Sequence, residues 1–353
     1  MNRLPGSLVI SLDFELHWGV CDRHPPDGSY RSSLLGARRA IPRMLALFEE
    51  FEIAATWATV GFLFATSRAE LDRFSPHARP EYVDATLSPY AQWMGEDEGE
   101  DPLHYAPSLI EAICSTPRQE IATHTFSHYY CLEEGQTRET FQADLQAALA
   151  LAARRGVRIE SIVFPRNQHN PAYDEVLLAN GITAYRGNPR GWMYREDTTR
   201  ASTRRGRRAA RLLDAYLPLS GPQTTPWSQA RQANGLANVR ASFFLRPYSP
   251  RLRRLEPLRL ARLRESLRYA ARGGHIFHLW WHPHNFGCHL EENLDFLRRM
   301  LAEFSACRER YGMRSLTMAE AARHALQTGD GEEGRTGLVR GRSLQSHASE
   351  RGV

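Results

Sequence analysis

Two histidines and two carboxylates carry the clearest chemistry in this sequence of 353 residues. His124 and His128 stand four positions apart in the segment His-Thr-Phe-Ser-His. Asp13 and Glu15 lie one residue apart at the end of an early apolar segment. Zinc accepts His nitrogen and Asp or Glu oxygen, and a catalytic zinc site keeps one coordination position for water. If the two segments meet in the fold, they supply the minimum set for metal-assisted hydrolysis: three ligands and one further carboxylate.

The spacing of the two carboxylates suits a strand. Successive side chains of a strand point to opposite faces, so residues two apart share one face. Phe14 separates Asp13 from Glu15, and both carboxylates are therefore predicted to face the same side. An unpaired buried charge is costly, which favours a functional role for both.

The elements that must position these residues alternate along the chain. Short apolar segments predict strands, and segments of helical periodicity between them predict helices. Pro42 is placed in the first turn of the first helix, where its missing N–H is tolerated. Alternation at this spacing implies parallel strands with right-handed crossovers, hence a barrel or a doubly wound sheet. The predicted strands are 8–14, 53–60, 119–123, 161–164, 182–185 and 275–281, and the helices are 37–51, 107–115, 137–155, 172–179, 255–271 and 293–311.

All of the candidate chemical groups fall at or just after predicted strands. In barrels of parallel strands the active site lies at the carboxyl ends of the strands, so this shared placement predicts one common site. Histidine pairs also occur on surfaces and at helix ends, and the shared placement therefore says more than the pair alone. The candidates are Asp13, Glu15, His124, His128, Arg166 and His282.

Composition predicts a soluble globular protein in a reducing compartment. The apolar fraction of 42% and charged fraction of 24% are ordinary for such proteins. The five cysteines are scattered with no Cys-x-x-Cys pair, which argues against a disulfide framework. The amino-terminal residues lack a signal-peptide pattern, and no segment is apolar enough to span a bilayer. We expect a cytoplasmic protein; its oligomeric state is left open.

Arginine is concentrated in segments 195–211 and 251–272, although the net charge is only +5. Such segments can bind nucleic acid or anionic lipid. The interleaved aromatic residues that single-stranded nucleic acid requires are missing, so we predict no nucleic-acid partner. Residues 195–235 are predicted to be an insertion that covers the site or contacts an anionic substrate carrier, with a solvated loop as the alternative. The domain is predicted over 1–328, and the polar tail 329–353 is predicted to be disordered.

Four motifs in order resemble the polysaccharide deacetylases with the NodB homology domain, carbohydrate esterase family 4. They are Ser-Leu-Asp-Phe-Glu at 11–15, His-Thr-Phe-Ser-His at 124–128, Phe-Pro-Arg-Asn-Gln at 164–168 and Leu-Trp-Trp-His-Pro at 279–283. The resemblance covers roughly residues 8–326. It implies a distorted (β/α) barrel of about seven parallel strands and a divalent metal, most consistent with zinc, held by one carboxylate and two histidines.

The resemblance also implies roles for single residues. Asp13 matches the catalytic base and Arg166 the arginine that orients it. His282 matches the general acid, with His284 as the alternative. The metal ligands implied are Glu15, His124 and His128.

Two departures from the family pattern matter. The common pattern has adjacent aspartates, so this chain is an Asp-x-Glu variant and is similar to a branch that includes enzymes acting on non-sugar amides. The Pro-Tyr pair that usually follows the arginine is missing after Arg166, which leaves Asn167, Gln168 or a backbone N–H for the oxyanion.

The resemblance implies a hydrolase that removes an N-acetyl group from a sugar, or from a sugar-linked intermediate, in bacterial surface polysaccharide metabolism. Cytoplasmic placement favours a nucleotide- or lipid-linked precursor. Hydrolysis of a linear or cyclic non-sugar amide by the same site is the first alternative. A non-catalytic carbohydrate-binding barrel is the second.

Overall fold

The computed structural model describes residues 4–202 and 204–327. The predicted disordered tail at 329–353 lies outside these residues. Within them the chain forms one curled sheet, mostly of parallel strands, that makes a half-barrel flanked by helices. The strands are β1 Ser7–Phe14, β2 Ala55–Thr59, β3 Gln119–Thr123, β4 Ser161–Ile162, β5 Ala184–Tyr185, β6 Thr225–Pro226, β7 Ala237–Asn238, β8 Phe243–Phe244, β9 His275–Trp281 and β10 Arg314–Leu316.

The sheet runs in the order β6-β9-β1-β2-β3-β4-β5-β7, with β10 paired to β1 and β8 to β9. All of these pairs are parallel except β6 with β9. β1 lies near the middle, and all eight of its residues are buried. The carboxyl ends of β1, β3, β5 and β9 therefore open on the same side of the sheet.

The helices connect consecutive strands and cover the outer surface of the sheet. Among the described residues, no helix is both long and apolar enough to cross a membrane. The helices are α1 Arg31–Glu50, α2 Arg68–Phe74, α3 Pro107–Ser115, α4 Arg138–Arg154, α5 Asp174–Ala179, α6 Thr199–Ser202, α7 Arg205–Asp214, α8 Glu256–Gly273 and α9 Leu290–Tyr311.

The strand predictions hold for β1 to β5 and β9, although β4 and β5 are shorter than predicted, whereas β6, β7, β8 and β10 were missed. β6, β7 and β8 have two residues each and β10 has three, too short for a periodicity to show. The predicted place of Pro42 was wrong. α1 begins six residues before the predicted start, so Pro42 lies inside the helix and removes one backbone hydrogen bond there.

Candidate active site

The carboxyl end of β1 presents both carboxylates to one buried space. Asp13 and Glu15 are 3% and 4% exposed, so neither carboxylate is solvated by bulk water. The chain turns immediately into a 3-10 helix, Leu16–Gly19. A Cβ atom at Gly19 would lie 2.0 Å from the Glu15 carboxyl group. Only glycine fits at this position while Glu15 keeps its place, a requirement that strand and helix periodicity does not reveal.

The loop after β3 turns two imidazoles toward Glu15. Its backbone has positive φ at Thr125 and at His128, a conformation that L-residues adopt only when their surroundings impose it. The support comes from Asp144 on α4, whose carboxylate accepts the backbone N–H groups of Phe126 and Ser127 at 2.7 and 3.1 Å. Burial raises the pKa of Asp144 to about 6. This buried anchor belongs to α4, and the two-histidine motif gives no indication of it.

Glu15, His124 and His128 form the one cluster of three possible metal ligands in the part of the chain that the structure describes. The Oε2 atom of Glu15 lies 3.3 Å from Nε2 of His124 and 3.1 Å from Nε2 of His128. Ligand atoms about 2.0–2.1 Å from a tetrahedral zinc ion are roughly 3.4 Å apart, so this spacing fits a metal of that size.

The chemistry of the donor atoms agrees with that spacing. Nδ1 of His124 lies 2.8 Å from the carbonyl oxygen of Val163, which can only accept, so Nδ1 carries the proton and the buried Nε2 offers its lone pair. Burial lowers the pKa of His128 to about 4, which keeps this imidazole neutral. Burial raises the pKa of Glu15, but the surrounding histidines, His282 foremost, hold that pKa well below its ordinary value. Two imidazole nitrogens and one carboxylate are a donor set that zinc accepts.

Asp13 faces a different partner. Arg186, directly after β5, donates from Nη1 to Oδ1 of Asp13 at 2.6 Å and from Nη2 to Oδ2 at 2.8 Å. Burial alone would raise the pKa of Asp13, but the guanidinium of Arg186, together with His124 and His282, outweighs burial and lowers it. Asp13 is therefore held ionised in a fixed orientation, with Arg186 itself 1% exposed and stacked over the Trp280 ring.

The expectation that Arg166 orients Asp13 was wrong. Arg166 has a positive φ in the turn after β4, and its Nη2 donates to Asp22 at 2.6 Å while Nη1 donates to Thr199 at 2.9 Å. The arginine on Asp13 is Arg186. The rule that selected the other candidates, a position just after a predicted strand, applies to Arg186 as well.

A series of hydrogen bonds from His278 through Ser11 holds the guanidinium of Arg186 in place. Nδ1 of His278 donates to the carbonyl of Val239, so Nε2 accepts the hydroxyl of Ser11 at 2.8 Å. The Ser11 oxygen in turn accepts Nη1 of Arg186 at 2.9 Å. Burial lowers the pKa of His278 to about 3, so its imidazole stays neutral in this chain.

His282 closes the site from the end of β9. Its Nε2 lies 3.5 Å from Oε1 of Glu15 and 3.8 Å from Oδ2 of Asp13, facing both carboxylates. Oδ1 of Asn285 lies 3.3 Å from Nδ1 of His282, within hydrogen-bond distance. The alternative, His284, is buried and stacks on the His282 ring with centroids 5.0 Å apart.

The two side chains considered for the oxyanion are engaged elsewhere. Oδ1 of Asn167 accepts Nη2 of Arg186 at 2.9 Å. Gln168 is buried and bonds to the Leu132 backbone N–H and to Glu133. Asn167 therefore supports the arginine beside Asp13, and Gln168 holds the neighbouring loop.

The structure is similar to several solved proteins. A protein from Mycobacterium smegmatis assigned as a polysaccharide deacetylase aligns with a TM-score of 0.55 at 14% identity, covering 100% of this chain and 99% of that one. The fold is that of the NodB-like deacetylases. The α-amylase AmyC from Thermotoga maritima aligns with a TM-score of 0.50 at 12% identity, covering 90% and 74%. A family 4 carbohydrate esterase from Streptomyces lividans in complex with acetate aligns with a TM-score of 0.37 at 10% identity, covering 85% and 88%.

No protein-family model matches the sequence, and no curated protein matches it significantly. At 14% identity the likeness to the Mycobacterium smegmatis protein concerns the fold alone. One fold can serve several chemistries, so the function has to follow from the side chains of the site.

Proposed function

We propose that the protein is a metal-dependent amide hydrolase that removes an N-acetyl group from a sugar or sugar-linked intermediate of bacterial surface polysaccharide metabolism. One observation supports this most directly. Two buried carboxylates on one strand have different partners: Glu15 faces two imidazoles at 3.1 and 3.3 Å, and Asp13 faces Arg186. The first arrangement suits a metal ligand, and the second suits a base that remains ionised beside it.

Glu15, His124 and His128 would hold the metal, for which zinc is the best match to the donor set. A divalent ion bound there supplies Lewis acidity toward water and toward the carbonyl of the substrate. The protein contributes three donor atoms, and each imidazole presents Nε2 toward Glu15. Gly19 leaves room for the Glu15 carboxylate to keep its position.

Asp13 and His282 would perform the proton transfers. Asp13 takes a proton from the attacking water, because Arg186 keeps its carboxylate ionised and oriented. His282 delivers a proton from Nε2 to the departing amine, from a position that faces both carboxylates. Each general acid-base contribution of this kind is worth about 10²–10⁴-fold in rate.

The test is a substrate panel with zinc-loaded protein. N-Acetylglucosamine, a nucleotide-linked N-acetyl sugar and a cyclic ureide are each incubated with the protein, and released acetate and opened ureide are measured. We expect acetate from at least one N-acetyl sugar. Ring opening of the ureide without acetate release would instead support the non-sugar amide hydrolase. A protein that binds no stoichiometric zinc and cleaves none of them would support the non-catalytic carbohydrate-binding barrel.

A further inference from the structure

Five leucines are exposed to solvent in two short segments, 213–219 and 255–258. Ten large apolar side chains are exposed in the described part of the chain, so half of them are concentrated here. Single exposed apolar side chains are ordinary on a protein surface, whereas a concentration of them indicates an interaction surface. We call this set the leucine patch; its members are between 38% and 57% exposed and are Leu213, Leu217, Leu219, Leu255 and Leu258.

The two segments of the leucine patch lie against each other. Asp214 is buried, and its Oδ1 accepts Nη2 of Arg262 on α8 at 2.9 Å. The same nitrogen of Arg262 donates to the hydroxyl of Ser220 at 3.2 Å. Positions four apart share one face of a helix, so residues 214–220 pack against α8 one turn after Leu258.

α7 carries the leucine patch at its carboxyl end and positive charge at its amino end. An exposed row of positions four residues apart runs along the helix and consists of Arg205, Ala209 and Leu213. The backbone N–H of Leu217 donates to the carbonyl oxygen of Leu213 at 2.9 Å, so the row continues for one more turn. The exposed side of this segment is therefore amphipathic along its length.

Exposed arginines flank the leucine patch at the start of α7 and in the turn before α8. They are Arg204, Arg205, Arg208, Arg251, Arg253 and Arg254. Within the part of the chain that the structure describes, no carboxylate forms a salt bridge with any of these six. The nearby carboxylates are paired with other arginines: Asp197 with Arg207, Glu256 with Arg259 and Asp214 with Arg262. The leucine patch thus lies within a strongly positive surface.

The combination of leucine and arginine discriminates between possible partners. A nucleic acid would contact the arginines through its phosphates, but it offers the leucines no apolar interior. A second copy of this chain, docked about a two-fold axis, would place the same six arginines opposite each other. An anionic lipid bilayer satisfies both groups, because leucine enters the acyl boundary while arginine contacts the headgroups.

We propose that the leucine patch and its flanking arginines bind the surface of an anionic lipid bilayer. A cavity of about 300 Å³ beside His282 is lined by Arg246 and by Ala215, which lies between Leu213 and Leu217. A docked protein therefore holds this cavity, and the candidate active site next to it, beside the membrane surface. The interaction requires neither metal nor hydrolysis, so it goes beyond the proposed function.

Binding is tested by flotation of the full-length chain with unilamellar vesicles that contain phosphatidylglycerol and phosphatidylcholine in equal amounts. We expect vesicle-bound protein at low ionic strength and a decrease as salt is added, because salt screens the arginines from the headgroups. Vesicles of phosphatidylcholine alone should bind much less protein. No binding to the anionic vesicles, or equal binding to both kinds, overturns the proposal.

The leucines are tested at constant charge. Leu217→Gln and Leu258→Gln should each lower the vesicle partition coefficient about tenfold, because an apolar side chain no longer leaves water on binding. Leu178 is exposed on α5 outside the leucine patch and provides the matched control. Leu178→Gln should leave the coefficient within about twofold of wild type. Equal coefficients for all three variants contradict the proposal.

The arginines are tested with two triple variants that lose the same charge. The first carries Arg204→Gln, Arg208→Gln and Arg254→Gln, and it should lower the coefficient about a hundredfold, since each arginine near an anionic surface contributes roughly fivefold. The second replaces three exposed arginines outside the patch, Arg39, Arg73 and Arg310, by glutamine. It should lower the coefficient by less than about fivefold. Equal losses would mean that only the net charge matters, which overturns the proposed surface.

The other partners give different results. Vesicle binding that duplex DNA displaces, and that Leu217→Gln leaves unchanged, would identify a nucleic-acid surface and overturn the proposal. A dimer in solution that Leu217→Gln dissociates, without vesicle binding by wild type, would identify a second copy as the occupant. Thermal melts check that each variant is folded. A protein that binds anionic vesicles and cleaves no N-acetyl sugar refutes the proposed deacetylation alone, so the two failures are distinguishable.

Discussion

The site has two sides, and each compensates one buried carboxylate in a different way. The histidine side consists of Glu15, His124, His128 and His282, and the arginine side consists of Asp13, Arg186, Ser11, Asn167 and His278. Asp13 and Glu15 are equally buried neighbours on one strand, and each needs compensation for leaving water. Imidazoles surround Glu15, and the nitrogens of His124 and His128 can bind a metal. A guanidinium has no lone pair to donate and stays protonated, so Asp13 receives a permanent partner.

Because their partners differ, the two carboxylates do not compete for one metal ion although they lie close together. Arg186 occupies both oxygens of Asp13. Glu15 keeps Oε2 directed at two imidazoles. The side chains opposite each carboxylate therefore decide which one suits a metal ligand and which one suits a base.

The largest expected effect is on the histidine side. His124→Ala removes one of three ligands, so zinc binding and turnover should both be lost. Metal content after dialysis and acetate release measure the two. His77, an exposed histidine, provides the control His77→Ala, which should keep both properties. A His124→Ala protein that retains stoichiometric zinc would mean that Glu15, His124 and His128 are not the metal site.

Asp13→Asn should separate the two sides. The amide keeps the shape of the side chain but cannot accept a proton, so turnover should fall about 10²–10⁴-fold while zinc stays bound. Metal analysis and kcat on the same sample give both quantities. A wild-type rate in Asp13→Asn would remove Asp13 as the base, and loss of zinc would show that the two sides are not separate.

Arg186→Gln should lower both stability and turnover, because Asp13 loses the group that orients it and balances its charge. Breaking a buried ion pair costs about 3–5 kcal/mol of unfolding free energy, and misplacing a catalytic group costs about 10²-fold in rate. Asp13 would remain buried without its cation, so its pKa should rise and the acidic limb of the pH–rate profile should move to higher pH. Denaturant unfolding and a pH–kcat series test this.

The sign of the pH effect on stability follows from the same pair. The pKa of Asp13 is lowered in the folded state, so the pair stabilises the fold above the ordinary value of 3.8 and loses this as pH falls through the lower folded pKa.

Two further variants control for the role of Arg186. Arg186→Lys should restore part of the rate that Arg186→Gln loses. Arg166→Gln is the matched comparison, because it should leave the acidic limb in place; a shift as large as that of Arg186→Gln would restore the original assignment of Arg166.

The smallest expected effect comes from the hydrogen bonds of Ser11 and His278 that hold Arg186 in place. Ser11→Ala leaves Nε2 of His278 buried without its hydroxyl partner, which should lower the free energy of unfolding by about 1–3 kcal/mol. Ser115→Ala, at an exposed position ending α3, should change it by less than about 0.5 kcal/mol. Equal midpoints for the two variants in denaturant would show that the chain from His278 to Arg186 does not contribute to stability.

Local sequence was sufficient for much of this molecule. The apolar segment of β1 predicted a strand buried on both faces, and the strand period placed Asp13 and Glu15 on one side. The strand before His124 was predicted with its observed bounds. Parallel strands and their carboxyl ends then predicted that Glu15, His124 and His128 would lie close together, and the structure brings them within contact distance.

Other parts of the site depend on contacts that no local pattern records. Gly19 is needed because the Glu15 carboxyl group occupies the space of its Cβ, and Asp144 is needed because a distant loop has to be held in a positive-φ conformation. Both requirements come from approaches between segments. Periodicity reports which face of an element is buried, and it does not report what packs there.

The sequence by itself determined the two carboxylates, the two histidines and the strand ends that carry them, because backbone periodicity and parallel pairing are local rules. Only the tertiary structure decided which arginine meets Asp13. Arg166 and Arg186 both follow strands, and the turn after β4 directs Arg166 to Asp22 whereas the end of β5 directs Arg186 across the curled sheet to Asp13. The tertiary structure also gathered arginines from distant segments into one cavity. The reach of a long side chain depends on the curl of the sheet, and that curl is a property of all strands together.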